Sequence, residues 1–388
     1  MNASLAKIWR KALLDIGPER LAGRWRELSG SALDRDYGLL CWGKAGLPTW
    51  EALKRKLSPS AALVIAPSYS HASNRVSVPA RLVRGDHPIP GDGSMEAGVA
   101  LLEFFQFLAR SETKKLFVFL SGGASSLAWL PSSQYSRKWL QHELKDLYRA
   151  PLTIKQLNKE RRKLCALKAG GAAFWLRKFT PNISVSVGVI SDVLPYGVEV
   201  VGSGPFFDGK IRHEVLADNS MLLKKISEIF AAYGVKTLFR RSGIVEDLQA
   251  WVTLIEKQVG RFIKAEMDGV LLFGGEPKIC VPSKAGKGGR QTHIAAVLLL
   301  TYWDLIKKGR VEILTGSSDG VDGASGGSGV FLSKSLFGQE SVLTEGNLKN
   351  AIKRFDTASW FESVRSLLPS FESVTNVQDV VLIRVIAS

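Results

Sequence analysis

The sequence is poor in cysteine, short of acid and without a long apolar run. Its 388 residues include three cysteines, Cys41, Cys165 and Cys280, far apart, odd in number and without metal-ligand spacing. That pattern excludes a disulfide framework and a structural zinc site and suits a reducing compartment. The longest apolar stretches, 101–109 and 294–303, are about half of the ~20 residues needed to cross a bilayer, which excludes a membrane span. Segment 3–16 is amphipathic and carries Lys7, Arg10 and Lys11; it has neither the apolar core nor the small-residue cleavage site of a signal peptide. The chain therefore reads as cytoplasmic. Two phosphate-binding signatures are missing as well. Gly286-Lys287 is followed by Gly288 rather than Ser or Thr, so there is no Walker A loop, and no G-x-G-x-x-G follows a strand pattern.

Acidic residues number 36 against 52 basic ones, a net charge of +16. Such an excess fits nucleic acid, an anionic surface or anionic substrates. The densest basic stretch, 155–168, holds Lys159, Arg161, Arg162 and Lys163 and reads as a solvated helix face. No nucleic-acid recognition motif or basic–aromatic repeat accompanies it, so small anions are the expected partners.

With 45% hydrophobic residues, a chain of this length buries a substantial core and exceeds the size at which one core stops growing, so two domains are expected. Short β-rich runs at 38–42, 61–66, 116–120, 185–190, 270–273 and 311–314 alternate with helical patterns at 94–110, 136–148, 154–178, 220–233, 245–264 and 290–307. That alternation predicts an α/β fold whose mostly parallel sheet is covered on both faces. The polar turn Arg240 to Gly243 sets the expected boundary, giving domains 1–240 and 241–388. A last strand, 380–386, completes the second sheet.

Nearly every predicted strand ends in a glycine turn with polar residues: Gly43-Lys44, Ser121-Gly122-Gly123, Ser191-Asp192, Gly274-Gly275-Glu276 and Ser318-Asp319-Gly320. In open α/β sheets ligands bind outside the carboxyl ends of strands. Any one turn is weak evidence, but several in register with strand ends argue for one shared cleft. The Ser121 to Ser126 turn could cradle a phosphate or carboxylate on backbone N–H groups. Lys44 stands between glycines, where its stem would be buried and its ammonium aimed at ligand. Arg290 follows Gly288-Gly289 and opens a helix, poised for a transferring phosphoryl group. Asp319 and Asp322, three apart in a glycine turn, suit Mg²⁺ or proton abstraction from an alcohol. Asp192 and Glu276 add two further acids at strand ends, of the kind phosphoryl transfer requires. His87, in a rigid proline-rich turn, reads as an orienting group.

In this order, Gly43-Lys44-Ala45, Gly85-Asp86-His87-Pro88-Ile89-Pro90, Leu120 to Ser125, Asn158 with Arg161 and Lys168, Ser191-Asp192-Val193, Ser203-Gly204-Pro205, Gly274-Gly275-Glu276, Gly288-Gly289-Arg290, Asp319 to Gly323 and Thr375-Asn376-Val377 resemble the type II, MOFRL-type glycerate 2-kinases over nearly the whole chain. The resemblance implies a Rossmann-like N-terminal domain, a smaller C-terminal α/β domain and an active site in the cleft between them. It implies ATP and Mg²⁺ as cofactors and D-glycerate as substrate. Lys44 and Arg290 would be the catalytic cations, with Asp192 or Asp319 handling the 2-hydroxyl. Gly43, Ser121, Gly122, Gly123, Ser125, Asn158, Arg161, Lys168, Gly288 and Gly289 would bind substrate or nucleotide, and Asp192, Glu276, Asp319 and Asp322 the metal. The chain departs from the family where Asn-Gln-Glu becomes Gln291-Thr292-His293, which removes an acid, and after Asp192, where Leu194-Pro195-Tyr196 replaces further acids. A member with another small hydroxy acid as substrate, or a silent nucleotide-binding protein, is the alternative these departures motivate.

Overall fold

The fold is described from a computed structural model over residues 4–25, 36–70, 80–132, 142–144, 146–147, 154–338, 344–373 and 375–387. The helix expected at 136–148 falls largely outside them. The chain forms two compact units: residues 17–217, and residues 1–16 together with 218–388.

The first unit holds a six-stranded sheet built from β1 (Tyr37–Trp42), β2 (Ala61–Pro67), β3 (Ala80–Gly85), β4 (Lys115–Leu120), β5 (Ser184–Ile190) and β6 (Arg212–Ala217). The strand order is β3-β2-β1-β4-β5-β6 and every pairing is parallel. All residues of β1 and β2 are buried, as near-continuous apolar strands covered on both faces must be. The order reverses between β1 and β4, and that is where a doubly wound sheet opens its ligand crevice. Helix α1 (Asp92–Arg110) is locked at its start by Asp86, whose carboxylate accepts from Ser94 N–H while Ser94 Oγ accepts from Asp86 N–H. The expected long helix 154–178 is two helices, α2 (Ile154–Leu164) and α3 (Gly171–Phe179). Ala169 and Gly170 take positive φ between them, which no continuing helix accommodates.

The second unit is also six-stranded, built from β7 (Thr237–Ile244), β8 (Gly269–Gly275), β9 (Val311–Ser317), β10 (Gly327–Leu332), β11 (Leu367–Pro369) and β12 (Asp379–Val385). Its order is β11-β10-β9-β12-β8-β7. Only β7 and β8 pair in parallel; β12 runs antiparallel to both β8 and β9, and β10 antiparallel to β9 and β11. The sheet is therefore mixed. Its core gathers Trp251, Phe273, Ile294 and Phe361, separate from the first unit's core around Phe105, Trp129 and Val118.

The expected domain boundary is corrected by this arrangement. Residues 240–243 lie inside β7, an edge strand with two register shifts and a positive-φ Gly243, which is why they read as a polar turn. The unit begins instead at Asp218, whose side chain caps helix α4 (Asn219–Ala232) by accepting from Met221 N–H. The N-terminal helix Leu5–Ile16 also belongs here. Its Trp9 stacks edge-on against Phe371 and covers Gly316 of β9, where any Cβ would collide with the indole.

Candidate active site

The carboxyl ends of β1, β3, β4 and β5 bring four sequence-predicted turns together. Gly43 lies against Ser121, and Lys44 N–H donates to Gly122 O at 2.9 Å while Ala45 N–H donates to Ser121 Oγ at 3.1 Å. A Cβ on Gly122 would fall on the Asp192 carboxylate, so this glycine is what lets the acid approach the turn. On the other side, Gly123 faces the Lys44 stem and the His87 imidazole. Lys44, His87 and Asp192 are thereby arranged around two consecutive glycines, all three half-buried.

The expectation of a backbone cradle at 121–126 is altered by the geometry. Helix residues Ala124–Leu127 make a single turn, and the N–H groups of Ala124, Ser126 and Leu127 are used internally, on Ser121 O and Gly123 O. Two cationic side chains also meet this turn. Arg161 and Lys168 are 7% and 6% exposed, and both donate to Ser125 O; Lys168 Nζ also reaches Ser125 Oγ at 2.8 Å. Ser125 Oγ in turn meets Ser203 Oγ at 2.8 Å. Beneath them lies the fully buried Trp129, with Lys168 Nζ 4.5 Å and Arg161 Cζ 5.8 Å from its ring. Burial pulls the Lys168 ammonium down to about 7, with Cys165 opposing the shift and Arg161 and Arg162 adding to it. Arg161 and Lys168 are thus not the solvated helix face that the basic run implied. Asn158 falls in α2, its side chain outside the described residues.

In the second unit, helix α5 (Arg290–Thr301) starts beside the ends of β8 and β9. Arg290 Nε donates to Asp379 Oδ2 at 3.1 Å and its Nη2 to Glu276 Oε1 at 3.2 Å. Asp379 is the first residue of β12, in register with Gly275 of β8 and Ser317 of β9. It is the functional candidate that the sequence reading missed. Burial pushes its carboxyl up to about 7, opposed by Arg290 and by a Ser317 hydrogen bond, and raised further by Glu276 and Asp322.

Asp322 has a different task from the one expected. Its two oxygens accept from Gln291 N–H at 2.9 Å and Thr292 N–H at 2.8 Å, capping α5. Gly289 stands where a Cβ would overlap that carboxylate, and Gly288 O accepts from Ala324 N–H; both glycines serve this internal packing. Asp319 is partly exposed in the neighbouring turn. Among the described residues no three His, Cys, Asp or Glu side chains gather as a metal cage. Of the acids expected to hold metal, Asp322 caps α5 and Glu276 pairs with Arg290 in the second unit, while Asp192 belongs to the first. His293, where the resemblance implies an acid, is 5% exposed and stacks on Phe355 at 4.3 Å, and burial lowers its basicity.

Residues 4–229 match the family described as a domain of unknown function, DUF4147, and residues 269–379 match the MOFRL family. A D-glycerate 2-kinase of Thermotoga maritima is 23% identical over 420 residues, spanning 97% of this chain and 96% of that one. An Agrobacterium vitis protein provisionally named hydroxypyruvate reductase is 24% identical over 369 residues, 82% of this chain and 90% of its own length. The crystal structure of glycerate kinase from Thermotoga maritima superposes with a TM-score of 0.82 at 20% identity, covering 98% of each chain. No helix among the described residues is long and apolar enough to cross a membrane. With the DUF4147 match alone covering more than half of its length, the chain belongs to the DUF4147–MOFRL family, that of the type II glycerate kinases, as a diverged member.

Proposed function

We propose that the chain transfers the γ-phosphoryl group of ATP to the 2-hydroxyl of D-glycerate. The observation that carries this reading is the convergence of Lys44, His87 and Asp192 on Gly122-Gly123, next to a serine held by two buried cations. Arg161 and Lys168, with Ser125 and Ser203, form a polar, positively charged cluster suited to a small carboxylate. Asp192 orients the 2-hydroxyl and takes its proton as the oxygen attacks the γ-phosphorus. The bond from that phosphorus to the β–γ bridging oxygen breaks and ADP leaves. The Lys44 ammonium stabilises the charge that spreads over the transferring group, and the second unit offers Arg290 as a cation for phosphate. Mg²⁺ would accompany the nucleotide as its counter-ion and neutralise part of the phosphate charge.

ADP release from Mg·ATP with D-glycerate, with the phosphate position read by NMR, tests the reading. A 2-phosphoglycerate product is expected. Nucleotide binding without ADP above background would refute it and leave a silent binding protein. A second reading, phosphorylation of a different small hydroxy acid, is favoured by His293, which puts a neutral stacked ring where the family has an acid. Turnover with another 2-hydroxy acid and none with glycerate, in a panel run under the same conditions, would select it.

A further inference from the structure

Arg290 occupies the first position of α5, where the positive end of the helix dipole disfavours a cation. Helix stability therefore does not explain it. Three acids surround it, yet they are not equivalent: Asp322 accepts from two helix N–H groups, while Asp379 and Glu276 take the Nε and Nη2 edge of the guanidinium. We infer that Asp379 and Glu276 are a positioning pair that aims Arg290, holding one edge of its guanidinium and leaving Nη1 to meet an anionic ligand. The inference rests on the reading of Arg290 as a phosphate-binding cation.

The support behind Asp379 is rigid on three sides. Its strand β12 is clamped between β8 and β9 in continuous register. The buried side chain of Asn219, at the start of α4, donates to Val377 O at 2.9 Å and to Asp379 O at 3.2 Å. The Asp379 side chain is 3% exposed against 43% for Arg290, so the acid is the fixed element and the arginine the one that reaches outward. Glu276, 40% exposed, sets the second point that a planar fork needs to be held in one orientation. A lone carboxylate would fix the distance of the guanidinium but not its plane.

The test is a double-mutant cycle on the full chain, in kinetics with Mg·ATP and D-glycerate and in Mg·ATP affinity by calorimetry. Asp379→Asn is expected to lower kcat on the order of tenfold to a hundredfold with KM for ATP changed less, as loss of a charge-assisted contact implies. Glu276→Gln is expected to cost roughly threefold to tenfold. In an Arg290→Ala background neither change should cost anything more, because both act through the arginine. Equal losses in the two backgrounds would mean a merely structural role and overturn the inference, as would wild-type behaviour of both single variants. If Asp379→Asn does not fold, the partly exposed Glu276 carries the cycle. If the wild type binds Mg·ATP but releases no ADP, the kinase reading fails while the affinity cycle still decides the positioning pair. No nucleotide binding at all would overturn both.

Discussion

Both units place a cation beside glycine turns at strand ends, but they treat it in opposite ways. In the first, Lys168 and Arg161 donate to the neutral oxygens of Ser125 over the face of Trp129. In the second, Arg290 is held by carboxylates from β8 and β12. Residue type alone does not tell these apart. The first cluster has an excess of positive charge in a buried setting, which raises its energy until an anion arrives. The second is already compensated, so what it offers a ligand is a fixed direction more than a net charge. Cations at strand ends are thus bound by neutral oxygens in one unit and paired with carboxylates in the other.

The sharpest way to break the comparison is to remove the cations that the proposed reaction uses. Lys44→Ala should lower the rate of ADP release about a hundredfold to a thousandfold, the range found when one preorganised charge donor is deleted, with an unchanged melting profile; wild-type rates would end that assignment. Gly122→Ala comes next. Its Cβ would occupy the space of the Asp192 carboxylate, and displacing a reacting group by about 1 Å costs on the order of a hundredfold, so a fully active alanine variant would separate Asp192 from the chemistry.

Charge state gives a subtler contrast. Lys168 has a folded-state value near 7, below its unfolded value of 10.5, so between those two pH values the unfolded chain binds more protons. Stability should therefore rise with pH from about 7 to 10, by up to about 1.4 kcal/mol per pH unit, and Lys168→Met should flatten that slope in urea titrations. Asp379, raised to about 7 from 3.8, has the opposite sign: its contribution declines as pH climbs from about 4 through 7. Glycerate binding should also draw a proton onto Lys168, measurable at pH 8 as a heat that depends on buffer ionisation and disappears in Lys168→Met. The smallest expected effect is Asp322→Asn. An amide oxygen can cap one of the two N–H groups that the carboxylate serves, for a loss of about 1 kcal/mol in the urea midpoint, and a larger loss of activity than of stability would restore Asp322 to the site.

The central strands were legible because burial on both faces writes itself as uninterrupted apolar residues: β1, β2 and β8 contain no exposed position. Edge strands carry no such signature. β3 and β6 mix charged residues with apolar ones, β7 is bulged, and β11 is only three residues long; inside the second sheet, β10 opens with two glycines among its first three residues, and none of these strands was read from sequence. The turns holding Lys44, Ser121 and Asp192 were found by searching strand ends for glycine and polar residues. Asp379 escaped that search because it begins its strand. Only the reversal of β12 between β8 and β9 brings its first residue level with their last.

The order of the glycine turns, the apolar runs between them and the excess of basic residues are properties of the sequence by itself, and they determined the α/β class, the family and the identity of the candidate cations. Local rules suffice there, since strand burial, glycine at a close approach and charge are each written within a few residues. The tertiary structure alone decided which acids are spent and which remain, where the second unit begins, and which cations are compensated. Those depend on strand direction and on contacts between residues as far apart as Arg290 and Asp379 or Ser125 and Ser203, and sequence spacing does not encode how chain segments return to one another.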